Sequence, residues 1–183
     1  MSRSVPLSSE AVLATLADLI AIPSINPDLA AHAPGEAAIA DYCAHFLREA
    51  GLAVEVQEVA PGRPNVIGIL RGTGGGRSLM LNGHVDTVGV EGMAEPFTPR
   101  RRDGHILGRG SSDMKGSIAA MLWTARALRE APRALLGAAF ASSWLMLLCA
   151  GGIMVAIFGQ VTINDTMLAR YTNADVAVIG LVG

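Results

Sequence analysis

Charge is scarce in this sequence. Asp, Glu, Lys and Arg make up 16% of its 183 residues, against roughly 25% in an ordinary soluble domain. The formal charge of −2 leaves no basic excess, so a nucleic-acid partner, which needs a basic face, is not expected. Cysteine is scarcer still: Cys43 and Cys149 stand far apart with no metal-type spacing. That excludes a disulfide framework and a cysteine zinc site. The opening stretch MSRSVPLSSEAVLATLADLIAIP lacks a clean apolar core, because Glu10 and Asp18 interrupt it. A secretory signal is therefore not expected, and a cytoplasmic setting is the default. Internal repeats and low-complexity linkers are absent. What remains is ample apolar material, 51% of the chain, which excludes intrinsic disorder. The length suits about one domain.

The scarcity of charge is uneven. Beyond Glu130 only Arg133, Asp165, Arg170 and Asp175 are charged, and Ala134–Gly159 is a run of 26 residues with none. Before that point the pattern alternates helices and strands. Ser9 can cap a first helix whose apolar stripe is Val12, Leu13, Leu16, Leu19 and Ile20. Pro23 ends it, and IPSINP reads as a turn-rich connector. A second helix is predicted over about Glu36–Ala50, with Ile39, Cys43, Phe46 and Leu47 on one face and Gly51 as its stop. Val54, Val56 and Val59 suggest a short strand. Asn65–Leu70 and Ser78–Asn82 read as two more, joined by a hairpin turn at GTGGG. Gly116–Arg129 is a third helix, with Ile118, Met121, Leu122, Ala125 and Leu128 inward. Such alternation predicts an α/β sandwich.

Two motifs carry chemistry. GHVDT, Gly83–Thr87, follows an apolar strand, and extended-chain alternation puts His84 and Asp86 on one side. A neutral imidazole is a good zinc ligand, and a carboxylate beside it fixes the ring's tautomer. The bland alternative is a loop histidine and aspartate satisfying local hydrogen bonds. GRGSSDMKG, Gly108–Gly116, leads into the third helix, with Asp113 just before it. There the helix N-terminus favours a carboxylate, so an ordinary capping aspartate is the competing reading. GRGSSDMKG and GTGGG fit neither phosphate-binding glycine pattern.

Taken together, LNGHVDTV and GRGSSDMKG resemble the di-zinc metallopeptidase and amidohydrolase family of acetylornithine deacetylase, succinyl-diaminopimelate desuccinylase, aminoacylase and glutamate carboxypeptidase. The resemblance extends to LADLIAIPSINP, GEAAIADYCAHFLREAGL and GRPNVIGIL, and covers about Leu13–Glu130. It implies a zinc-exopeptidase-like α/β sheet flanked by helices, incomplete here and without the family's inserted dimerisation domain. It implies His84 as a ligand of one zinc, Asp113 as the carboxylate bridging two zincs, and Asp86 as the catalytic-site carboxylate supporting His84. Zinc, with cobalt as a substitute, is the implied cofactor. An N-acyl amino acid or small peptide is the implied substrate, and the family's homodimer is not expected for this chain. Two zincs roughly 3.5 Å apart share and acidify a water and polarise an amide carbonyl, while a glutamate moves the proton.

The chain departs from that pattern in its last third. Neither Glu nor His occurs after Glu130, so the family's catalytic glutamate and the neighbouring ligand are missing. Asp165–Gly180 resembles the family's next helix and strand. The expected organisation is therefore residues 1–133 as the N-terminal part of the catalytic domain, 134–163 as an anomalous apolar segment, and 164–183 as a helix-and-strand remnant. At 1.5 Å per residue the uncharged run would span about 39 Å as a helix, enough to cross a membrane, with Arg126, Arg129 and Arg133 favouring an inside N-terminus. Family-like sequence resuming at Asp165 favours buried core instead. Three functions stay open: a zinc-dependent amidohydrolase fragment with at most partial metal binding, a non-catalytic remnant, and a chimera inserted in a membrane through 134–159.

Overall fold

Helix α1, Ser9–Ala21, begins where its cap dictates. The computed structural model describes residues 7–72, 79–130 and 176–182. Ser8, extended at φ −141° and ψ 153°, accepts a hydrogen bond from the Ala11 N–H at 3.1 Å. The cap is thus Ser8 rather than the expected Ser9, because with two adjacent serines the one in extended conformation aims its hydroxyl at the first turn. α2, Ala37–Glu49, stops before Gly51, whose φ of +82° suits a residue without Cβ. α3, Gly116–Glu130, is one residue longer than expected and buries Ile118, Met121, Leu122 and Ala125.

Strands β1 (Ala53–Ala60), β2 (Arg63–Arg71), β3 (Leu79–His84) and β6 (Val176–Val182) form one mixed sheet in the order β1-β2-β6-β3. β1 and β2 are an antiparallel hairpin, and β2 runs antiparallel to β6, with Val66 opposite Leu181. β3 runs parallel to β6, with His84 opposite Val182. The expected hairpin at GTGGG is therefore corrected: β2 and β3 are not neighbours, because β6 takes the slot between them. Its seven-residue run VAVIGLV pairs with both, and a short glycine-rich connection does not oblige the strands it joins to bond. Residues 73–78 of that connection lie outside the described residues. A second, two-stranded ribbon, β4 (Arg100–Arg102) with β5 (His105–Leu107), has no counterpart in the sequence expectation.

The helices pack on the sheet through a continuous core. Leu16, Leu19 and Ile20 of α1, Ile39, Cys43 and Leu47 of α2, Ile118 and Leu122 of α3, and Val66 and Val85 are all within it. Ile67, pointing the other way by strand alternation, is also fully buried. The buried Trp123 indole donates to the Thr15 hydroxyl at 2.9 Å and meets Phe46 edge-on, so α1 and α2 are both tied to α3. These elements bring the ends of β3 and α3 together. The architecture is α/β as expected. The apolar run 134–159, the expected helix after Asp165, and Cys149 lie outside the described residues. Among the described residues no helix is long and apolar enough to cross a membrane.

Candidate metal centre

His84 is the last residue of β3 and Asp86 lies two residues on, in the loop after it. The imidazole is held from both sides. Its Nδ1–H donates to Asp86 Oδ1 at 2.8 Å, and its Nε2 lies 3.0 Å from Asp113 Oδ1. Two groups able to touch one metal lie within about 5 Å of each other. Asp113 reaches His84 from an irregular turn, Ser111–Lys115, that precedes α3. No side-chain cap bond forms at that turn, and the Asp113 carboxylate faces His84 instead of the helix amides. Its side chain is 85% exposed, which leaves the carboxylate open to a further partner. Met114, the next residue, packs back on the strand, where its sulfur accepts from the His84 N–H at 3.4 Å.

The electrostatics follow from this sandwich. The Asp86 hydrogen bond, with the charges of Asp86 and Asp113, raises the His84 pKa to about 9 against the opposing effect of burial. His84 in return holds the Asp86 carboxyl below its usual value, against burial, and the Asn26 amide acts in the same direction. Asp86 stands behind the ring on the Nδ1 side, so it orients His84 rather than facing the open side of the site.

The donor set suits a divalent metal in part. Two ligands on one tetrahedral zinc, each about 2.0–2.1 Å from it, stand roughly 3.3 Å apart. His84 Nε2 and Asp113 Oδ1 are near that spacing at 3.0 Å. A metal bound between them would take the place of any proton on Nε2. Among the described residues no group of three or more His, Cys, Asp or Glu side chains surrounds a common point. The remaining ligands of a complete centre are therefore not supplied by the described part of the chain.

Two residues at this end of the domain were not legible as important. Asn26, read only as part of a connector, donates from Nδ2 to Asp86 Oδ2 at 2.8 Å. The run Asn-Pro-Asp was a signal for local structure there, since the Asn26 side-chain oxygen accepts from the Asp28 N–H. Lys115 is fully buried, and its ammonium donates to Leu19 O at 2.9 Å and Ile22 O at 2.7 Å. It thereby fastens the Asp113 turn to the C-terminal end of α1, where a cation suits the helix dipole. Burial pushes its pKa down to about 8.

Residues 80–140, which contain both motifs, match the model of Peptidase family M20/M25/M40. An N-formyl-4-amino-5-aminomethyl-2-methylpyrimidine deformylase of Bacillus subtilis is 41% identical over 99 residues, which cover 51% of this chain and 23% of that protein. A succinyl-diaminopimelate desuccinylase of Methylobacterium radiotolerans is 32% identical over 177 residues, 93% of this chain and 42% of that protein. Among solved structures, an M20 family metallo-carboxypeptidase from Sulfolobus solfataricus superposes with a TM-score of 0.60 at 18% identity, over 97% of this chain and 31% of that one. Residues 80–140 carry the M20 peptidase domain, and the chain as a whole is similar to M20 amide hydrolases and has part of their α/β fold. It spans less than half the length of the relatives it matches.

Proposed function

We propose that this chain is part of the catalytic domain of a metal-dependent hydrolase that removes short acyl groups from the nitrogen of small molecules. His84 and Asp113 hold the metal, with zinc as the favoured ion and cobalt as a substitute, and Asp86 sets the His84 tautomer. The observation that carries this reading is the 3.0 Å approach of His84 Nε2 to Asp113, with Asp86 2.8 Å behind the same ring. The activities that name these relatives, deformylation and desuccinylation, share cleavage of an amide between a short acyl group and an amine, which supports the substrate class. When bound, the metal supplies a polarised carbonyl and an activated water. The chain's own part is to hold the Nδ1–H on Asp86, so that Nε2 is the nitrogen turned toward the metal, and to present the exposed Asp113 carboxylate beside it.

The same reading includes a deficit. Residues 131–183 contain no Glu and no His, so that stretch offers no glutamate to move a proton between water and leaving amine. A general base contributes about 10²–10⁴-fold, and a metal held by two donors is weakly held. The 183-residue chain by itself is therefore proposed to be catalytically incompetent.

Calorimetric titration of the tag-free chain with Zn²⁺ tests the metal site. One site that His84→Ala abolishes and Asp113→Asn weakens supports it. Equal zinc binding by wild type and His84→Ala overturns it. Assay of the same chain with zinc or cobalt against N-formyl, N-acetyl and N-succinyl amines tests the deficit. Turnover above about 1 s⁻¹, the low end of ordinary enzymes, overturns it.

A further inference from the structure

The connector between α1 and α2 is stitched to the metal loop along its length. The Thr87 N–H donates to Ser24 O at 2.8 Å and the Asn26 N–H to Thr87 O at 2.9 Å, a parallel bridge centred on Ile25 and Thr87. The buried Ser24 hydroxyl adds a bond to Val85 O at 2.8 Å. Residues 24–26 are thus pinned to residues 85–87 at three points. From this pinned backbone one side chain reaches the site. Asn26 Nδ2 donates to Asp86 Oδ2 at 2.8 Å, while Asn26 Oδ1 accepts from the Asp28 N–H at 2.9 Å. A backbone N–H only donates, so the amide has one orientation, oxygen toward Asp28 and nitrogen toward Asp86.

We propose that Asn26 is a positioning residue of the metal centre, which sets the plane of the Asp86 carboxylate so that His84 presents Nε2 to the metal beside Asp113. This role rests on the reading of His84 and Asp113 as metal ligands. An aspartate carboxylate turns in a broad, two-fold torsional well. One bond to His84 therefore does not define its plane. The second bond, from an amide whose own backbone is tied to the same loop, does. Asp86 Oδ1 then meets His84 Nδ1 at 2.8 Å, and groups behind a ligand govern both its tautomer and its grip on a metal.

The test uses the full chain, with two measurements. In the metal-free chain, ring ¹H and ¹⁵N resonances of His84 report how fast the Nδ1 proton exchanges with water. Calorimetry reports zinc affinity. Asn26→Asp keeps the shape and the acceptor for the Asp28 N–H, removes the donor to Asp86 and sets a second carboxylate against it, which turns Asp86 from its plane. It is expected to speed Nδ1–H exchange about tenfold, the loss of one charge-assisted bond. Zinc affinity should fall about tenfold, the low end for outer groups, with the circular dichroism spectrum unchanged. Asn26→Ala should act in the same direction; where it unfolds the chain, Asn26→Asp decides. Ser24→Ala removes one of the connector's three bonds to the metal loop without touching Asp86 and should leave the exchange rate within about twofold. Unchanged exchange in both Asn26 variants overturns the proposal. So does a Ser24→Ala effect as large as that of Asn26→Ala, which would make the connector a structural strap only. Because exchange is read without metal, its outcome is independent of a failure of the zinc site itself, which shows as equal binding by wild type and His84→Ala.

Discussion

Replacing Lys115 by methionine keeps the length of a fully buried side chain and removes its charge. Two effects of opposite sign follow. The ammonium loses its bonds to Leu19 O at 2.9 Å and Ile22 O at 2.7 Å, each worth about 1.5–3 kcal/mol as a bond from a charged donor, or roughly 4–5 kcal/mol together. Against that, the charge no longer has to be buried. A pKa lowered from 10.5 to about 8 corresponds to about 3 kcal/mol at 1.36 kcal/mol per pH unit. The bonds win by a small margin. Lys115→Met is expected to destabilise the chain by about 1–2 kcal/mol, and urea melts followed by circular dichroism at neutral pH measure it. At 2–4 °C per kcal/mol the thermal midpoint should fall by about 2–8 °C. Equal or greater stability in the variant would refute the reasoning, since the cost of burying the ammonium would then exceed the value of the two carbonyl bonds. Zinc affinity should fall as well, because the turn that carries Asp113 loses its tie to α1.

Other expectations are open to direct measurement. Burial pushes the Cys43 thiol up to about 12, so Cys43 should resist alkylation at pH 8 until the chain unfolds, as site-resolved mass spectrometry would show. The sign for stability follows: an unfolded thiol ionises near 9 while the folded one keeps its proton, so this contribution is intact below pH 9 and is lost as pH rises from 9 toward 12. Cys43→Ala should flatten that alkaline decline. Thr15→Val leaves the buried Trp123 indole N–H without its 2.9 Å acceptor and should cost about 1–3 kcal/mol in urea melts, with α1 fraying first in hydrogen exchange. Gly83→Ala places a Cβ 2.7 Å from Met114 Cε and 2.9 Å from Ile118 Cδ1. It should cost about 1–3 kcal/mol of overpacking and weaken zinc binding, because Met114 and the neighbouring Asp113 are pushed from β3.

Local patterns in the sequence were enough for the helices and for the two motifs that meet at His84. Helical stripes such as Leu16, Leu19 and Ile20, or Ile39, Cys43 and Leu47, are set by residues three and four apart, and each is buried as its spacing implies. His84 and Asp86 are two residues apart, so their meeting is a local matter. What escaped the sequence was contact across long separations. Asn26 and Asp86 stand 60 positions apart, and Lys115 stands 93 from Ile22. No local periodicity records such a contact. The sheet order escaped for the same reason: glycines at 74–76 are a strong local turn signal, whereas the claim of β6 on both β2 and β3 depends on residues about a hundred positions later. The single N-cap error was a choice between two adjacent serines that only backbone conformation decides.

The place of β6 sets a schedule for folding. β3, which ends in His84, finds its described sheet partner only in Val176–Val182, so during synthesis the histidine strand waits while more than ninety further residues are made. In that interval β1 and β2 can pair as a local hairpin, but the inner edge of β2 and the matching edge of β3 remain unpaired hydrogen-bonding rows, a template for joining other chains. Contacts this far apart in sequence form slowly, because a long loop must close before any bond rewards it. A chain stopped at Glu130 would retain His84, Asp86 and Asp113 yet lack the strand that joins the two halves of their platform. It should collect in aggregates, and a separate peptide of residues 176–182 supplied during refolding should keep part of it soluble.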